Sequence, residues 1–205
     1  MNSASKKAIL VVSFGTSYEN TRKLTIEAIE HDIADAFPAC PTYRAWTSKM
    51  IIAKLKKRDG LTIHTVKEAL EQMLLDGITD VIVQPTHVIN GIENDQMKAD
   101  ALSFRDRFSS IVFGNPLLTT EEDNQAIVRV IADEFRDMDP DTALVLMGHG
   151  TEHYANTVYA ALDYRFKDTG HKNIFLGTVE AIRPWTPFSG LPTAFIRKRS
   201  CWRLS

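Results

Sequence analysis

The chain has 205 residues, of which 44% are hydrophobic, enough for one large domain or two small lobes. A net charge of −2 gives no reason to expect nucleic acid or an anionic membrane as the main partner, and no apolar run is long enough to span a bilayer. Cys40 and Cys201 lie too far apart in sequence to indicate a disulfide framework or a thiolate metal site, so a reducing cytoplasm is the expected location.

The first half of the chain alternates short apolar runs with helical patterns. Residues 8–14 form a continuous apolar run, which is typical of a strand covered on both faces. The segment Thr16-Ser17-Tyr18-Glu19 then predicts a capping box, and Pro38 ends the helix that follows. A second capping box is predicted at Thr65 and Glu68. Further strands are predicted at 42–46, 80–84 and 110–114, and further helices at 48–58, 65–77 and 93–108.

The second half continues the alternation as far as residue 179. Helices are predicted at 121–138 and 153–167, and strands at 143–147 and 173–179. Strands that alternate with helices predict an α/β fold with parallel sheets covered by helices on both faces. The turn at 115–120 is the best boundary, which divides the chain into lobes at 1–116 and 117–180.

The last segment, residues 181–205, breaks this pattern. It contains five Lys or Arg, three prolines and no Asp or Glu, and it has neither helical nor strand periodicity. One interpretation is a basic binding tail. The preferred interpretation is an atypical segment that is not native to the rest of the sequence, as after a frameshift or an early end of the reading frame. We expect this segment not to pack well.

Polar residues directly follow several predicted strands. In open α/β sheets, ligands bind beyond the carboxyl ends of the strands. The polar loop 13–17 follows the first strand, His87 follows the third, His149 follows the strand that ends at Met147, and Glu180 follows the last. Imidazole and carboxylate ligands suit cobalt, iron, nickel or zinc. These residues therefore predict a site for a borderline divalent metal.

Each candidate also has a purely structural interpretation. His149 could satisfy only local hydrogen bonds in a loop, although its flanking glycines would also let a large flat ligand approach the backbone. His87 could bond to neighbouring backbone, and Glu180 alone is a weak signal because many strands end in a carboxylate. The loop 13–17 resembles a phosphate-binding turn but lacks a dinucleotide glycine pattern and a P-loop lysine. His153 is either a co-ligand or a solvated residue at a helix start.

Taken together, the ordered motifs resemble the anaerobic cobaltochelatases of cobalamin biosynthesis, a group of class II chelatases that act on sirohydrochlorin. The resemblance runs to about residue 180, and its number of matches in order makes it far more specific than the Gly-His-Gly triplet alone. The matching segments are 7–17 (KAILVVSFGTS), 47–52 (TSKMII), Lys54-Leu55, Arg58-Asp59-Gly60, Gln84, 87–91 (HVING), Glu93, Pro116-Leu117-Leu118, 147–150 (MGHG), Tyr159, Leu162-Asp163, Gly177 and Val179-Glu180.

This resemblance implies two flavodoxin-like lobes with a cleft that holds the macrocycle. It implies that His149 binds the metal and accepts a proton, and that Glu180 is a carboxylate metal ligand. A neutral imidazole suits both roles because it titrates near physiological pH. Substrate-binding positions implied in the first lobe are Ser13, Phe14, Gly15, Thr16 and His87. The implied substrates are sirohydrochlorin and Co(II), with Fe(II) or Ni(II) as alternatives, and no further cofactor is expected.

One departure from the family concerns the end of the chain. The family has a second metal-binding histidine in a strand-end Ala-Gly-Asp-His segment, whereas no histidine follows His171 here. We therefore expect an incomplete second lobe whose exposed strand edges favour association into a homo-oligomer. The competing hypotheses are a metal- or tetrapyrrole-binding protein with little or no chelatase activity, and a non-functional remnant.

Overall fold

The computed structural model describes residues 5–139, 141–179 and 202–204. These residues form two compact units: unit 1 comprises residues up to 87 together with 93–116, and unit 2 comprises 88–92 and the described residues from 117 onward. Both units contain parallel strands and helices, which confirms the predicted α/β class. Within the described part of the chain, no helix combines the length and apolarity needed to cross a bilayer.

The sheet of unit 1 has four parallel strands in the order β2-β1-β3-β4. The strands are β1 (Lys7–Ser13), β2 (Thr42–Trp46), β3 (Asp80–Pro85) and β4 (Ser110–Phe113). Strand β1 is hydrogen-bonded on both sides and buried from Ala8 to Ser13, which explains its continuous apolar run. Because the register pairs Ser13 with Trp46 and Val12 with Pro85, the carboxyl ends of three strands meet at one edge.

Five helices accompany this sheet. They are α1 (Glu19–Leu24), α2 (Ile26–Ala36), α3 (Lys49–Asp59), α4 (Val66–Leu75) and α5 (Ile92–Leu102). The capping box predicted before α4 is confirmed, since Thr65 accepts from the Glu68 backbone and the Glu68 side chain accepts from the Thr65 backbone. Helix α4 buries Val66, Ala69, Leu70 and Met73 against the sheet core.

Three local predictions in unit 1 are wrong. Thr16 does not cap α1, because Tyr18 occupies the N-cap and makes no side-chain cap, while the Thr16 hydroxyl accepts from the Tyr18 backbone at 3.3 Å. The helix predicted to run on to Pro38 is broken at Thr25, whose backbone (φ −122°, ψ −74°) leaves the helical region. Helix α5 ends at Leu102 rather than at residue 108, and a short 3₁₀ turn follows.

Unit 2 repeats the strand order of unit 1 on a smaller scale. Its elements are α6 (Glu121–Glu134), β5 (Leu144–Gly148), α7 (Thr157–Asp168), β6 (Ile174–Thr178) and β7 (Trp202–Leu204). The parallel order β6-β5-β7 corresponds to β2-β1-β3, with the first strand of each unit at the centre. The core between the sheet and the helices contains Leu118, Val128, Leu144, Leu146, Leu162, Phe166 and Ile174.

The strand β7 corrects the expectation for the tail. The lack of strand periodicity in residues 181–205 predicts poor packing, yet Trp202–Leu204 pairs in parallel with Leu146–Gly148 of β5. Parallel pairing is made by backbone groups, so it does not require the alternating side-chain pattern that the tail lacks. The remainder of the predicted tail, 181–201 and 205, lies outside the described residues.

A second unexpected feature is the segment Val88–Ile92, which belongs to unit 2. The Leu118 amide donates to the Val88 carbonyl at 2.8 Å, and Ile89 forms a parallel bridge with Leu118. Val88 and Ile89 also pack on the core of unit 2. The chain therefore passes between the units after His87, after Ile92 and after Pro116, whereas the sequence predicts one boundary at 115–120.

Candidate functional site

The loop 13–17 leaves the central strand of unit 1 at the carboxyl edge of the sheet. Ser13 is buried, and its hydroxyl accepts from the Thr86 hydroxyl at 2.8 Å, so the ends of β1 and β3 are held together. The Phe14 carbonyl accepts from the Ser48 amide at the start of α3. Phe14 itself is exposed. The structure thus brings Ser13 and the residue before His87 into contact, as expected for parallel strand ends.

Gly15 determines the backbone conformation of this loop. Its φ of +102° lies in the left-handed region, and a Cβ at this position would come within 2.5 Å of Cε3 of the Trp46 ring. Trp46 is fully buried at the end of β2. Only glycine combines this backbone conformation with such close approach to an aromatic ring. Gly15 is therefore required for the conformation of the loop, whether or not a ligand binds there.

Two cations of α3 bind the end of the loop, and the sequence, which marks both only as residues matching the family, does not predict this contact. Lys54 Nζ donates to Ser17 Oγ at 3.2 Å, and Arg58 Nη2 donates to the Ser17 carbonyl at 2.8 Å. The sequence alone suggests that Lys54 to Arg58 is a solvated helix end. The signal that could have identified them is their four-residue spacing, which places them on the same face of a helix.

His87 is the most unusual side chain in unit 1. It is 9% exposed, and neither ring nitrogen has a hydrogen-bond partner among the residues that the structure describes. Burial lowers the pKa of His87 from its ordinary value of 6.5, and the carboxylate of Glu93 only partly opposes this. A buried polar group without a partner destabilises a fold, and it is common where a ligand completes the hydrogen bonds.

The lowered pKa of His87 has a measurable consequence. The unfolded chain binds a proton near pH 6.5 and the folded chain only at lower pH, so this group's contribution to stability is lost as the pH falls below about 6.5. We expect His87→Leu to gain stability relative to the original protein between pH 7.5 and 5.5, by at most about 1.4 kcal/mol per pH unit. Urea unfolding at both pH values measures this difference. An equal stability difference at the two pH values would contradict the prediction.

His149 follows β5 at the carboxyl edge of the sheet of unit 2. The residue is exposed, while its neighbours Gly148 and Gly150 are buried. A Cβ at Gly148 would come within 2.7 Å of the Tyr159 ring, and Gly150 has a φ of +83°. Both glycines are therefore fixed by local packing and conformation. They present the imidazole between them toward solvent.

The other predicted metal ligand cannot be placed. Glu180 lies outside the described residues, although the Val179 amide before it donates to the Gly148 carbonyl at 3.1 Å. His153, the alternative co-ligand, caps the short 3₁₀ turn before α7, where its Nδ1 accepts from the Ala155 amide. Among residues 5–139, 141–179 and 202–204, no three His, Cys, Asp or Glu side chains cluster in a way that would hold a metal ion.

Large apolar side chains are exposed near the same strand ends. In unit 1, Phe14, Tyr18 and Met50 follow β1 and β2 and are 46%, 72% and 77% exposed. In unit 2, Tyr154 follows the His149 loop and is 74% exposed. Exposed apolar groups that adjoin a polar loop are a feature of ligand-binding surfaces. The carboxyl edge of each sheet thus exposes large apolar side chains beside its polar loop.

A cavity of about 750 Å³ lies elsewhere in unit 2. Its wall is formed by α6, the end of α7 and the beginning of β6, and includes Arg129, Phe135, Arg165 and His171. The beginning of β6 is at the opposite end of the sheet from His149. None of the residues predicted from the sequence lines this cavity, and ligands of parallel sheets bind at the carboxyl end. We therefore do not assign the function to it.

The chain is similar to known proteins along most of its length. A family model described as cobalt chelatase (CbiK) matches residues 7–185. The chain is 39% identical over 159 residues to the sirohydrochlorin cobaltochelatase of Salmonella typhimurium, covering 78% of this chain and 60% of that protein. It is 33% identical over 164 residues to the sirohydrochlorin cobaltochelatase CbiKC of Nitratidesulfovibrio vulgaris, covering 77% of this chain and 56% of the relative. The chain thus spans somewhat more than half the length of these curated relatives.

Proposed function

The chain belongs to the cobalt chelatase (CbiK) family, and we propose that it inserts Co(II) into sirohydrochlorin in anaerobic cobalamin biosynthesis. The observation that carries this proposal is the exposed His149 between two buried glycines, at the carboxyl end of the central strand of unit 2. Its position lies inside the region that the family model matches. Both named relatives carry this activity in their names.

Metal insertion requires a weak ligand for the ion and a base for the pyrrole protons. Each pyrrole N–H bond breaks, the electron pair stays on nitrogen and forms a bond to cobalt, and the proton passes to a base. We assign His149 both tasks: its imidazole binds Co(II), and after the ion moves to the macrocycle the freed nitrogen accepts one pyrrole proton and releases it to solvent before it accepts the second. Glu180 is proposed as the carboxylate ligand that holds the ion with it.

We assign unit 1 the binding of the macrocycle. Phe14 offers an exposed ring for contact with a flat π-system, and Gly15 and Thr16 allow the backbone to come close. Ser13 holds the loop to β3, and the unpartnered nitrogens of His87 are available for hydrogen bonds to the ligand once its ring reorients. Because imidazole and carboxylate discriminate weakly among borderline metals, Fe(II) and Ni(II) remain alternative substrates.

The remaining assignments follow from this function. Cobalt is a substrate, and the proposed chemistry needs no nucleotide or redox cofactor. A cytoplasmic location agrees with a sequence that contains only two, widely separated cysteines. Association into a homo-oligomer is proposed through β6 and β7, which lie at the two edges of the three-stranded sheet formed by the described residues.

The test of the function is an anaerobic insertion assay. Purified protein is mixed with sirohydrochlorin and Co(II), and the absorption spectrum of the macrocycle is followed against a protein-free blank and against heat-denatured protein. We expect the native protein to convert the spectrum faster than both. Equal rates in all three samples would refute the proposed chelatase activity.

A second candidate is a protein that binds metal or tetrapyrrole without insertion. The feature that favours it is that none of the residues after His171 in this sequence is a histidine, whereas the family resemblance implies a second metal-binding histidine. Titration calorimetry with Co(II) and with sirohydrochlorin separates the two candidates. Binding heat without spectral conversion would support the binder over the enzyme.

A further inference from the structure

Lys54 differs from the other cations near the loop 13–17. Three cations of α1 and α3 are paired with carboxylates. Arg22 pairs with Glu27 at 3.0 Å, Lys23 with Glu19 at 2.7 Å, and Arg58 with Asp59 at 2.6 Å. Lys54 has no carboxylate partner among the described residues, and its ammonium donates to the neutral hydroxyl of Ser17.

The position of Lys54 depends on Ser17, which is itself held in place. Ser17 is 8% exposed, and its carbonyl is held by Arg58 one helical turn further along α3. The Ser17 hydroxyl, in turn, holds Lys54 Nζ at 3.2 Å. Lys54 is exposed, so its ammonium group is accessible to solvent. The hydrogen bond to Ser17 orients the Lys54 side chain. An ammonium held in this way has already lost part of the conformational freedom that binding would otherwise remove.

The surroundings of Lys54 indicate the class of ligand. Phe14 and Tyr18, on the loop that Lys54 contacts, both expose large parts of their rings. A flat apolar body that carries carboxylates at its margin would satisfy both features, with its face on the rings and an acid group on the ammonium. A tetrapyrrole with acidic side chains has this chemistry, whereas free phosphate or an inorganic anion would make no use of the rings.

We propose that Lys54 binds a peripheral carboxylate of the tetrapyrrole, with Arg58 as the positioning residue that holds the Ser17 loop for this contact. This inference rests on the proposed function, because it identifies how the proposed substrate is recognised. It concerns equilibrium binding and not insertion, so it can fail while the enzyme assignment stands.

The test measures binding by quenching of porphyrin fluorescence, with two probes of opposite charge. Uroporphyrin carries only carboxylates, and a tetra(N-methylpyridinium) porphyrin carries only cations. We expect Lys54→Met to weaken uroporphyrin binding about three- to fivefold, the range of one partly exposed ion pair. Lys54→Glu should weaken it further, and neither variant should weaken binding of the cationic porphyrin. Added salt should reduce the difference for uroporphyrin.

Lys56 supplies matched controls. It is exposed on the same helix, two residues and about 200° of rotation from Lys54. Lys56→Met and Lys56→Glu change the net charge equally and should leave uroporphyrin binding within about twofold of the original protein. Equal effects at positions 54 and 56 would overturn the proposal, because the effect would then come from net charge.

Two other outcomes would also overturn it. If the Lys54 variants weaken binding of both porphyrins equally, Lys54 shapes the loop and does not bind a carboxylate. If the original protein binds neither porphyrin, both this inference and the proposed substrate class fail. Unchanged circular dichroism of each variant shows that α3 is intact.

Discussion

Replacement of His149 by alanine is expected to slow Co(II) insertion into sirohydrochlorin by about 10²- to 10⁴-fold, the range for loss of a side chain that transfers protons. The variant loses both the proposed metal ligand and the proposed base. Because His149 is exposed and flanked by glycines that pack independently of its side chain, the fold should be little affected. We expect a change in the free energy of unfolding of no more than about 0.5 kcal/mol.

The matched control for this variant is His171→Ala. His171 precedes β6, at the opposite end of the same sheet, so its loss should leave the insertion rate within about twofold of the original. Initial rates are measured by absorption at saturating sirohydrochlorin and at several Co(II) concentrations. A His149→Ala protein that retains more than a tenth of the original rate would remove this residue from the mechanism.

Gly15→Ala should be among the most damaging single substitutions in unit 1. A non-glycine residue in the left-handed region costs about 1–2 kcal/mol, and overlap of the new methyl group with the Trp46 ring adds about 1–3 kcal/mol. Since Trp46 is fully buried, the ring cannot move aside without disturbing its own contacts. A loss of about 2–5 kcal/mol corresponds to a decrease of about 4–20 °C in Tm for a chain of this size.

Gly60→Ala separates the cost of the left-handed backbone from the cost of overlap with a neighbouring side chain. Gly60 also has a positive φ, +69°, but a Cβ there would meet no atom within 4 Å. This variant should therefore show only the backbone cost, about 1–2 kcal/mol. Thermal unfolding followed by circular dichroism measures both variants. If Gly15→Ala is no less stable than Gly60→Ala, the close approach to Trp46 is not a constraint on the loop.

The parts of the fold that the sequence predicts are those with strong local signals. Strand β1 is recognisable because a central parallel strand is buried on both faces, and α4 because its cap depends on Thr65 and Glu68 alone. The break at Thr25 has no such signal. Its hydroxyl donates to the Thr21 carbonyl, a local bond that the hydrophobic pattern does not register.

The candidate site, like the fold, is only partly predictable from the sequence. The positions of Ser13, His87 and His149 at strand ends follow from the alternation of strands and helices, which the sequence displays. The unpartnered nitrogens of His87, the packing of Gly15 on Trp46 and the contacts of Lys54 with Ser17 depend on residues distant in sequence. Such contacts are set by tertiary packing, so a single sequence without strand register does not reveal them.

The course of the chain around Val88–Ile92 ties His87 to unit 2 through covalent bonds. His87 is the last residue of unit 1 before the first crossing, and the next residue is already hydrogen-bonded to Leu118. A fragment that ends at residue 116 would leave Val88 and Ile89 without Leu118, with which their backbone pairs. Cutting the chain once, after residue 116, is thus a poor way to test the function of either half. Two co-expressed fragments should restore a folded protein only if residues 88–92 and 117–119 can reassociate.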